Sequence, residues 1–229
     1  NQDTIYCDAK HRFWILADGM GGHSGGKIAS QQVVTCLSQS LIDCSIRDAI
    51  SSAQAEIERL QNDQSDISNM GTTVVLAKTT SRGFELAWLG DSRIYHYDGK
   101  LRRLSHDHSF VQDLIDRGVL TQEQAQAHDK KNLINRFIGM TNPRFVPELK
   151  TYYPCQSGTL LLCSDGVTDF ISDMQLAAIM TDSVDNEKRS KLLQEAVFAT
   201  SAEDNISFIL LSFDVNWSLK LLNCTANLI

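Results

Sequence analysis

The chain has 229 residues, 42% hydrophobic and 21% charged, and 21 basic against 28 acidic side chains leave a net charge of −7. That length holds one large domain or two small ones and can bury a core without staples, while the acidic balance argues against nucleic acid as a partner. No apolar run reaches membrane-span length and no secretory signal is present, so the expectation is a cytoplasmic protein with no membrane partner.

In chain order, Thr4–Tyr6 and Phe13–Ala17 read as strands separated by a polar turn. Lys27–Cys44 places Val33, Val34, Leu37 and Leu41 on one helical face. Ile46–Asn62 carries a cleaner stripe, Ile46, Ile50, Ala53, Ile57 and Leu60, and should pack against the preceding helix. Thr72–Lys78, Phe84–Leu89 and Arg93–Tyr97 are short and rich in β-branched or aromatic residues. With Ser81-Arg82-Gly83 in the first gap and Asp98-Gly99 after the third, they predict an antiparallel meander running on into Lys100–Leu104. Residues 109–143 read as helical and polar, with a capping box from Thr121 to Gln124, and Ala127–Asn132 lack periodicity. Phe145–Tyr153 and Thr159–Cys163 read as strands, Asp173–Met180 and Asn186–Thr200 as helices, and Ile206–Phe213 as a last strand. The residues from Val215 to Ile229 show no partner. The six cysteines, none in a C-x-x-C pair, read as buried thiols in a reducing compartment. The sequence opens at Asn1 and not at a methionine, as a fragment would.

Strands alternating with helix pairs imply antiparallel sheets with helices outside, not the βαβ alternation of a parallel sheet. This bears on the glycine-rich stretch after Asp18. From Gly21 to Lys27 the spacing is G-x-x-x-x-G-K, most of a phosphate-binding P-loop. However, position 28 is isoleucine where a metal-binding hydroxyl belongs, and the required parallel sheet is not evident.

The aspartates tell more. Asp3 precedes Thr4-Ile5-Tyr6, Asp18 ends "FWILA", Asp91 ends "ELAWLG", Asp165 ends "TLLLCS" and Asp204 opens "ISFILLSF". Any one of them alone is ordinary turn chemistry. Together they put carboxylates at the rigid ends of strands, where they repel unless protons or cations neutralise them. Hard divalent cations with oxygen ligands, Mg²⁺ or Mn²⁺, are the natural answer. Glycine after Asp18 leaves room for a backbone carbonyl to join the same site. Two such ions about 3.5–4 Å apart acidify a bridging water and orient a phosphoryl group without a protein nucleophile.

"NQD" (1–3), "LADGMGGH" (16–23), "MGTT" (70–73), "GDSRIY" (90–95), "SHDHS" (105–109), "LLLCSDGVTD" (160–169) and "EDNISFILL" (203–211) resemble, in order, the motifs of the bacterial metal-dependent protein serine/threonine phosphatases of the protein phosphatase 2C family. The resemblance implies an α+β fold, a four-layer α-β-β-α sandwich of two antiparallel sheets flanked by helix pairs, with the metal site at one edge. It implies one phosphatase domain over 1–214, a flap at about 109–140 that influences substrate choice, and a tail, 215–229, of unknown role. Asp18 resembles the carboxylate bridging two core Mg²⁺ or Mn²⁺ ions, Gly19 a carbonyl ligand, and Asp165 and Asp204 the ligands on the far side. Asp3 resembles the residue that orders water near Asp18. Asp91, with Asp165, resembles the ligand pair of a third, weaker ion. The implied activity is hydrolysis of phosphoserine and phosphothreonine in proteins by a metal-bridging hydroxide, with Asp18, Asp165 and Asp204 catalytic. Phosphoproteins made by an opposing serine/threonine kinase would be the partners of a monomer.

Three departures qualify this. Gln2 replaces a glutamate common in the family and cannot carry charge. Met20 stands where animal members have a histidine proposed as general acid. The family's phosphate-binding arginine would lie three residues before Asn1, ahead of this sequence, and without it a bidentate fork on phosphate is lost. His23 reads as structural, and His106 and His108 as local hydrogen-bonding residues. The arginine and Gln2 motivate the competing reading, a catalytically silent phosphatase-like module that binds or regulates phosphoproteins.

Overall fold

The computed structural model describes all residues except 22–23, 64, 142–145, 184, 201–203 and 216–218. The elements are β1 (Asp3–Asp8), β2 (Phe13–Met20), α1 (Gly25–Ser40), α2 (Ile46–Asp63), β3 (Gly71–Thr72), β4 (Val74–Thr79), β5 (Phe84–Leu89), β6 (Arg93–Tyr97), β7 (Leu101–Arg103), α3 (Phe110–Asp116), α4 (Gln122–Gln126), β8 (Glu148–Tyr152), β9 (Gly158–Cys163), α5 (Asp165–Thr168), α6 (Asp173–Asp182), α7 (Asn186–Phe198), β10 (Ser207–Asp214) and β11 (Lys220–Leu228). Among the described residues, one sheet runs β1-β2-β4-β5-β8 with β3 added to β2, and the other runs β11-β10-β9-β6-β7. The pairings within both sheets are antiparallel.

Side-chain alternation sorts each strand between two cores. Phe13, Ile15 and Ala17 of β2 face α1 and α2, against Val33, Leu37, Ile50 and Ile57. Trp14 and Leu16, on the opposite face, pack between the sheets with Phe84, Leu162, Ile209 and Phe213. Behind the second sheet Tyr95, Leu161, Phe208 and Leu210 meet Leu176, Met180, Leu193 and Val197 of α6 and α7. Three apolar layers between four structural layers make the α-β-β-α sandwich. They also explain why "FWILA" and "TLLLC" are unbroken apolar runs: each central strand is buried on both faces.

The expected meander is corrected. β4 and β5 form one hairpin and β6 and β7 another, but the two lie in different sheets. The chain changes sheets at Gly90-Asp91-Ser92, where Gly90 holds φ +106 and has Thr73 packed against the space a Cβ would need, a conformation that favours glycine. The helical reading of 109–143 is also too long. α3 stops before Gly118, at φ +69, Thr121 and Gln124 form the expected capping box on α4, and residues 127–140 hold no helix or strand. The start of the expected strand at Phe145 lies outside the described residues. The C-terminal residues do have a partner: β11 pairs with β10 along its length, and Ile229 exchanges backbone bonds of 3.0 and 3.1 Å with Ile206. The expectation of buried cysteines holds for Cys163 alone; Cys36 is half-buried, and Cys7, Cys44, Cys155 and Cys224 are exposed thiols.

His96, fully buried between the sheets, bonds the Tyr152 hydroxyl at 2.5 Å through Nδ1 and rests on Phe213. Burial lowers its pKa to about 4. Because the unfolded chain binds this proton near the ordinary histidine value of about 6.5, His96 costs the wild type stability progressively as pH falls from there toward 4. The stability of His96→Phe relative to wild type should therefore rise as pH falls through that window, as measured by urea denaturation at several pH values. A pH-independent difference would contradict the assignment.

Candidate active site

The aspartates sit at or just beyond strand ends. Asp3, the first residue of β1, lies opposite Asp18 of β2 in register. Asp91 sits in the crossover between the sheets, and Asp165 opens the single turn of α5 directly after β9. Asp204 precedes β10 and is exposed, its carboxylate accepting the Asn205 amide at 2.7 Å. Sequence reasoning named all of these, and their charges interact. Burial drives the Asp18 carboxyl well above the usual carboxylate range, and Asp165 and Asp3 add repulsion from either side. Asp91 is raised likewise, by burial and then by Asp165 and Asp107. Asp165 is pushed up to about 6 by burial, with Asp204, Asp169 and Asp3 adding to it and contact with Asp18 offsetting it. Asp3 is raised by burial and by Asp204, against the lowering effect of Ser207, Asp18 and Ser164.

Four acids crowded this way would be a liability without something to neutralise them. Oxygens of Asp3, Asp91 and Asp165 are buried with no hydrogen-bond partner. Among the described residues no three such side chains already converge on a single point as metal ligands; Asp18 instead lies within hydrogen-bonding reach of Asp3 on one side and Asp165 on the other. Orphaned oxygens on several crowded carboxylates suit a hard divalent cation of the Mg²⁺ or Mn²⁺ kind, which neutralises their charge as a neutral donor does not. Gly19 fits the same reading. A Cβ there would lie 2.0 Å from the Gly26 carbonyl oxygen and 2.7 Å from that of Gln2, so the strand and α1 approach closely only because both positions are glycine.

The clamps that hold these groups were not legible beforehand. The Asp18 carbonyl accepts Thr72 Oγ1 at 2.7 Å and the Thr73 amide at 2.8 Å, while its amide donates to Thr73 Oγ1 at 3.2 Å. Thr73 Oγ1 also meets Ser92 Oγ at 2.8 Å, beside Asp91, which ties the two sheets together at the site. Asn205 Oδ1 accepts the Gln2 amide at 2.7 Å, and the Gln2 carbonyl accepts Ser30 Oγ at 2.5 Å and the Gly19 amide at 3.2 Å. In the SHDHS segment, Asp107 takes a bidentate fork from Arg93, Nε to Oδ1 at 3.2 Å and Nη2 to Oδ2 at 2.7 Å, and His108 Nδ1 accepts the Gly90 amide at 3.2 Å. Burial lowers the His108 pKa to about 4, so the ring is a neutral acceptor. His106 pairs with Asp116 at 2.7 Å, and both histidines thus serve local hydrogen bonding. Lys27 is exposed on the first turn of α1, and with both sheets antiparallel the P-loop spacing is coincidental. His23 lies outside the described residues.

Thr73→Val keeps the shape and removes the hydroxyl that joins Asp18 to Ser92. The loss of two partly buried hydrogen bonds should cost about 1–3 kcal/mol and, by loosening Asp18, lower activity by about 10-fold or more. Thermal melts and kcat together check this; wild-type activity in the variant would show that the bridge does not position the site.

Next to the cluster lies a cavity of about 270 Å³, lined by Asp91, Asp165, Gln112 and Gln175 and flanked by the Lys131–Asp169 ion pair at 2.8 Å. Its outer wall is the segment 109–140. That segment is pinned at its far end by mutual 2.9 Å backbone bonds between Ile138 and Thr72, and by Gln54 and Gln61 on Gly139.

Known proteins resemble this chain in sequence and fold. The chain is 34% identical over 220 residues to the serine/threonine phosphatase stp of Listeria monocytogenes, covering 88% of this chain and 84% of that protein. The fold matches the crystal structure of the Mycobacterium tuberculosis serine/threonine phosphatase PstP/Ppp with a TM-score of 0.83 at 30% identity, over 92% of this chain and 91% of that one. It also matches the catalytic domain of the phosphatase PstP in complex with 2 manganese ions, with a TM-score of 0.81 at 29% identity, over 92% and 90%. The family model for protein phosphatase 2C matches residues 1–205, which take in every aspartate of the edge. The chain belongs to the protein phosphatase 2C family.

Proposed function

We propose that this chain is a metal-dependent protein phosphatase that hydrolyses phosphoserine and phosphothreonine in proteins, using two Mg²⁺ or Mn²⁺ ions and a third, weaker one. The observation that carries this is the buried carboxylate edge, with unpartnered oxygens on Asp3, Asp91 and Asp165 around Asp18. Family membership and relatives named as serine/threonine phosphatases support catalysis over a silent binding module. Asp18 and the Gly19 carbonyl would hold the core pair together with Asp165 and Asp204. Asp91 and Asp165 would hold the third ion, and Asp3 would order water beside Asp18. When bound, the ions supply Lewis acidity that activates water and polarises the phosphoryl group.

The protein's own part is positional. The Thr72 and Thr73 clamps fix the Asp18 backbone, and the Asn205–Gln2 bond holds β1 and therefore Asp3 in place. The Arg93–Asp107 fork braces the strand that follows Asp91. The segment 109–140 forms a flap over the cavity, which is the right place to read the residues around a phosphoresidue. A single phosphatase domain is supported by β11, which completes the second sheet. Among the described residues no helix is long and apolar enough to cross a membrane; the reading carries a cytoplasmic setting. There a monomer would oppose a serine/threonine kinase. Phosphate release from a phosphothreonine peptide should require Mn²⁺ or Mg²⁺ and cease with EDTA; metal-independent release, or none with metal present, would overturn the reading.

A further inference from the structure

Two of the exposed cysteines come from opposite ends of the chain. Cys7 lies on β1 opposite Trp14, and Cys224 on β11 opposite Leu211. Directly paired residues of neighbouring strands share a face, and Trp14 and Leu211 both belong to the core between the sheets. Both thiols therefore point into the sandwich from its open edge, one from each sheet. β1 and β11 approach each other, with Cα atoms of the two strands within 8 Å, and the two thiols interact with one another. Both side chains are nonetheless solvent-accessible. No role in the carboxylate site accounts for this pair.

We propose that Cys7 and Cys224 are a redox modification site, forming a reversible disulfide that clasps the two sheets together. Cys224 is the sulfur oxidised first: hydrogen bonds from Cys7 and from Trp14 stabilise its thiolate and lower its pKa, whereas Cys7 is raised by the same neighbour. With hydrogen peroxide as oxidant, the Cys224 thiolate attacks one peroxide oxygen, the O–O bond breaks, and a sulfenic acid and hydroxide form, the hydroxide taking up the proton that Cys224 gave up on ionising to become water. The Cys7 sulfur then attacks Cys224, the S–O bond breaks, and hydroxide leaves with the Cys7 proton as a second water. Two sulfur electron pairs become one S–S bond, and the two electrons released reduce the peroxide. The bond closes a loop of nearly the whole chain, where constraint of the unfolded state is greatest. It also fixes β1, whose first residue is Asp3.

The test is mild hydrogen peroxide treatment of the whole chain, read by thiol titration, peptide mass mapping and thermal melting. Accessible thiols should fall by two, a Cys7–Cys224 cross-linked peptide should appear, and the melting temperature should rise by about 5–10 °C, all reversed by dithiothreitol. Cys7→Ser and Cys224→Ser should each abolish the cross-link and the rise while keeping wild-type phosphatase activity when reduced; because both positions are exposed, loss of folding would itself count against the reading. Retention of all thiols, over-oxidation without cross-linking, or pairing through Cys44 or Cys155 would overturn the proposal. None of these outcomes depends on the phosphatase reaction, so this inference and the functional reading fail separately.

Discussion

Asp18→Asn is expected to abolish turnover and stabilise the metal-free protein. The two effects have one cause. Asp18 carries a charge that burial and its neighbours Asp165 and Asp3 all oppose, so the position is tolerable only because something else compensates. Asparagine removes the charge at nearly constant shape, and its amide N–H groups can donate to the unpartnered oxygens of Asp3 and Asp165. Relief of like-charge crowding should raise the melting temperature by about 5 °C in EDTA. Hydrolysis should fall by at least about 10³-fold, on the order of 4 kcal/mol of transition-state stabilisation. A variant that loses activity while also losing stability would mean that Asp18 is a structural residue, not one kept against the fold's preference.

Gly19→Ala should damage both fold and site. Its Cβ would fall 2.0 Å from a backbone oxygen of α1 and 2.7 Å from one of the residue before β1, and neither neighbour is a flexible side-chain end. Strand and helix would have to separate by about 1 Å, at a cost on the order of 3 kcal/mol, typical of overpacking. That corresponds to a drop of about 10 °C in melting temperature. The Gly19 carbonyl and the adjacent Asp18 would move with the strand, so activity should fall by about 10²-fold. Thermal melts and kcat on the purified variant check both; an unchanged protein would show that the close approach of β2 and α1 is not required.

How much of this was visible in the sequence depends on whether a feature is local. Strand limits at Phe84–Leu89 and Arg93–Tyr97 were readable to the residue because β-branched and aromatic runs end sharply in Gly and Asp. Which sheet each strand joins was not. Gly90-Asp91-Ser92 looks like a hairpin turn, and only burial of Trp88 and Ile94 in the same inter-sheet core, with His108 gripping Gly90, decides for a crossover. β11 escaped notice because "KLLNCTANL" mixes polar and apolar residues without a clean period, and its order comes from its pairing with β10. The overlong helix at 109–143 came from glutamine-rich, helix-friendly composition, which Gly118 and a fresh N-cap at Thr121 interrupt.

The site divides the same way. Aspartates at strand ends were legible because they recur at the ends of several apolar runs; any one of them alone is ordinary turn chemistry. Thr73, Ser92, Ser30 and Asn205 were not, because a serine or threonine carries no sign of the distant backbone it will hold.

The most direct test of the account is calorimetric titration of the whole chain with Mn²⁺, alongside the same titration of Asp18→Asn. A carboxylate edge built to hold cations should take up two ions per chain with a further weaker one, and raise the melting temperature as it fills; the variant should lose the tight pair. No uptake by the wild type, or uptake that Asp18→Asn leaves unchanged, would contradict the claim that this edge is the metal centre.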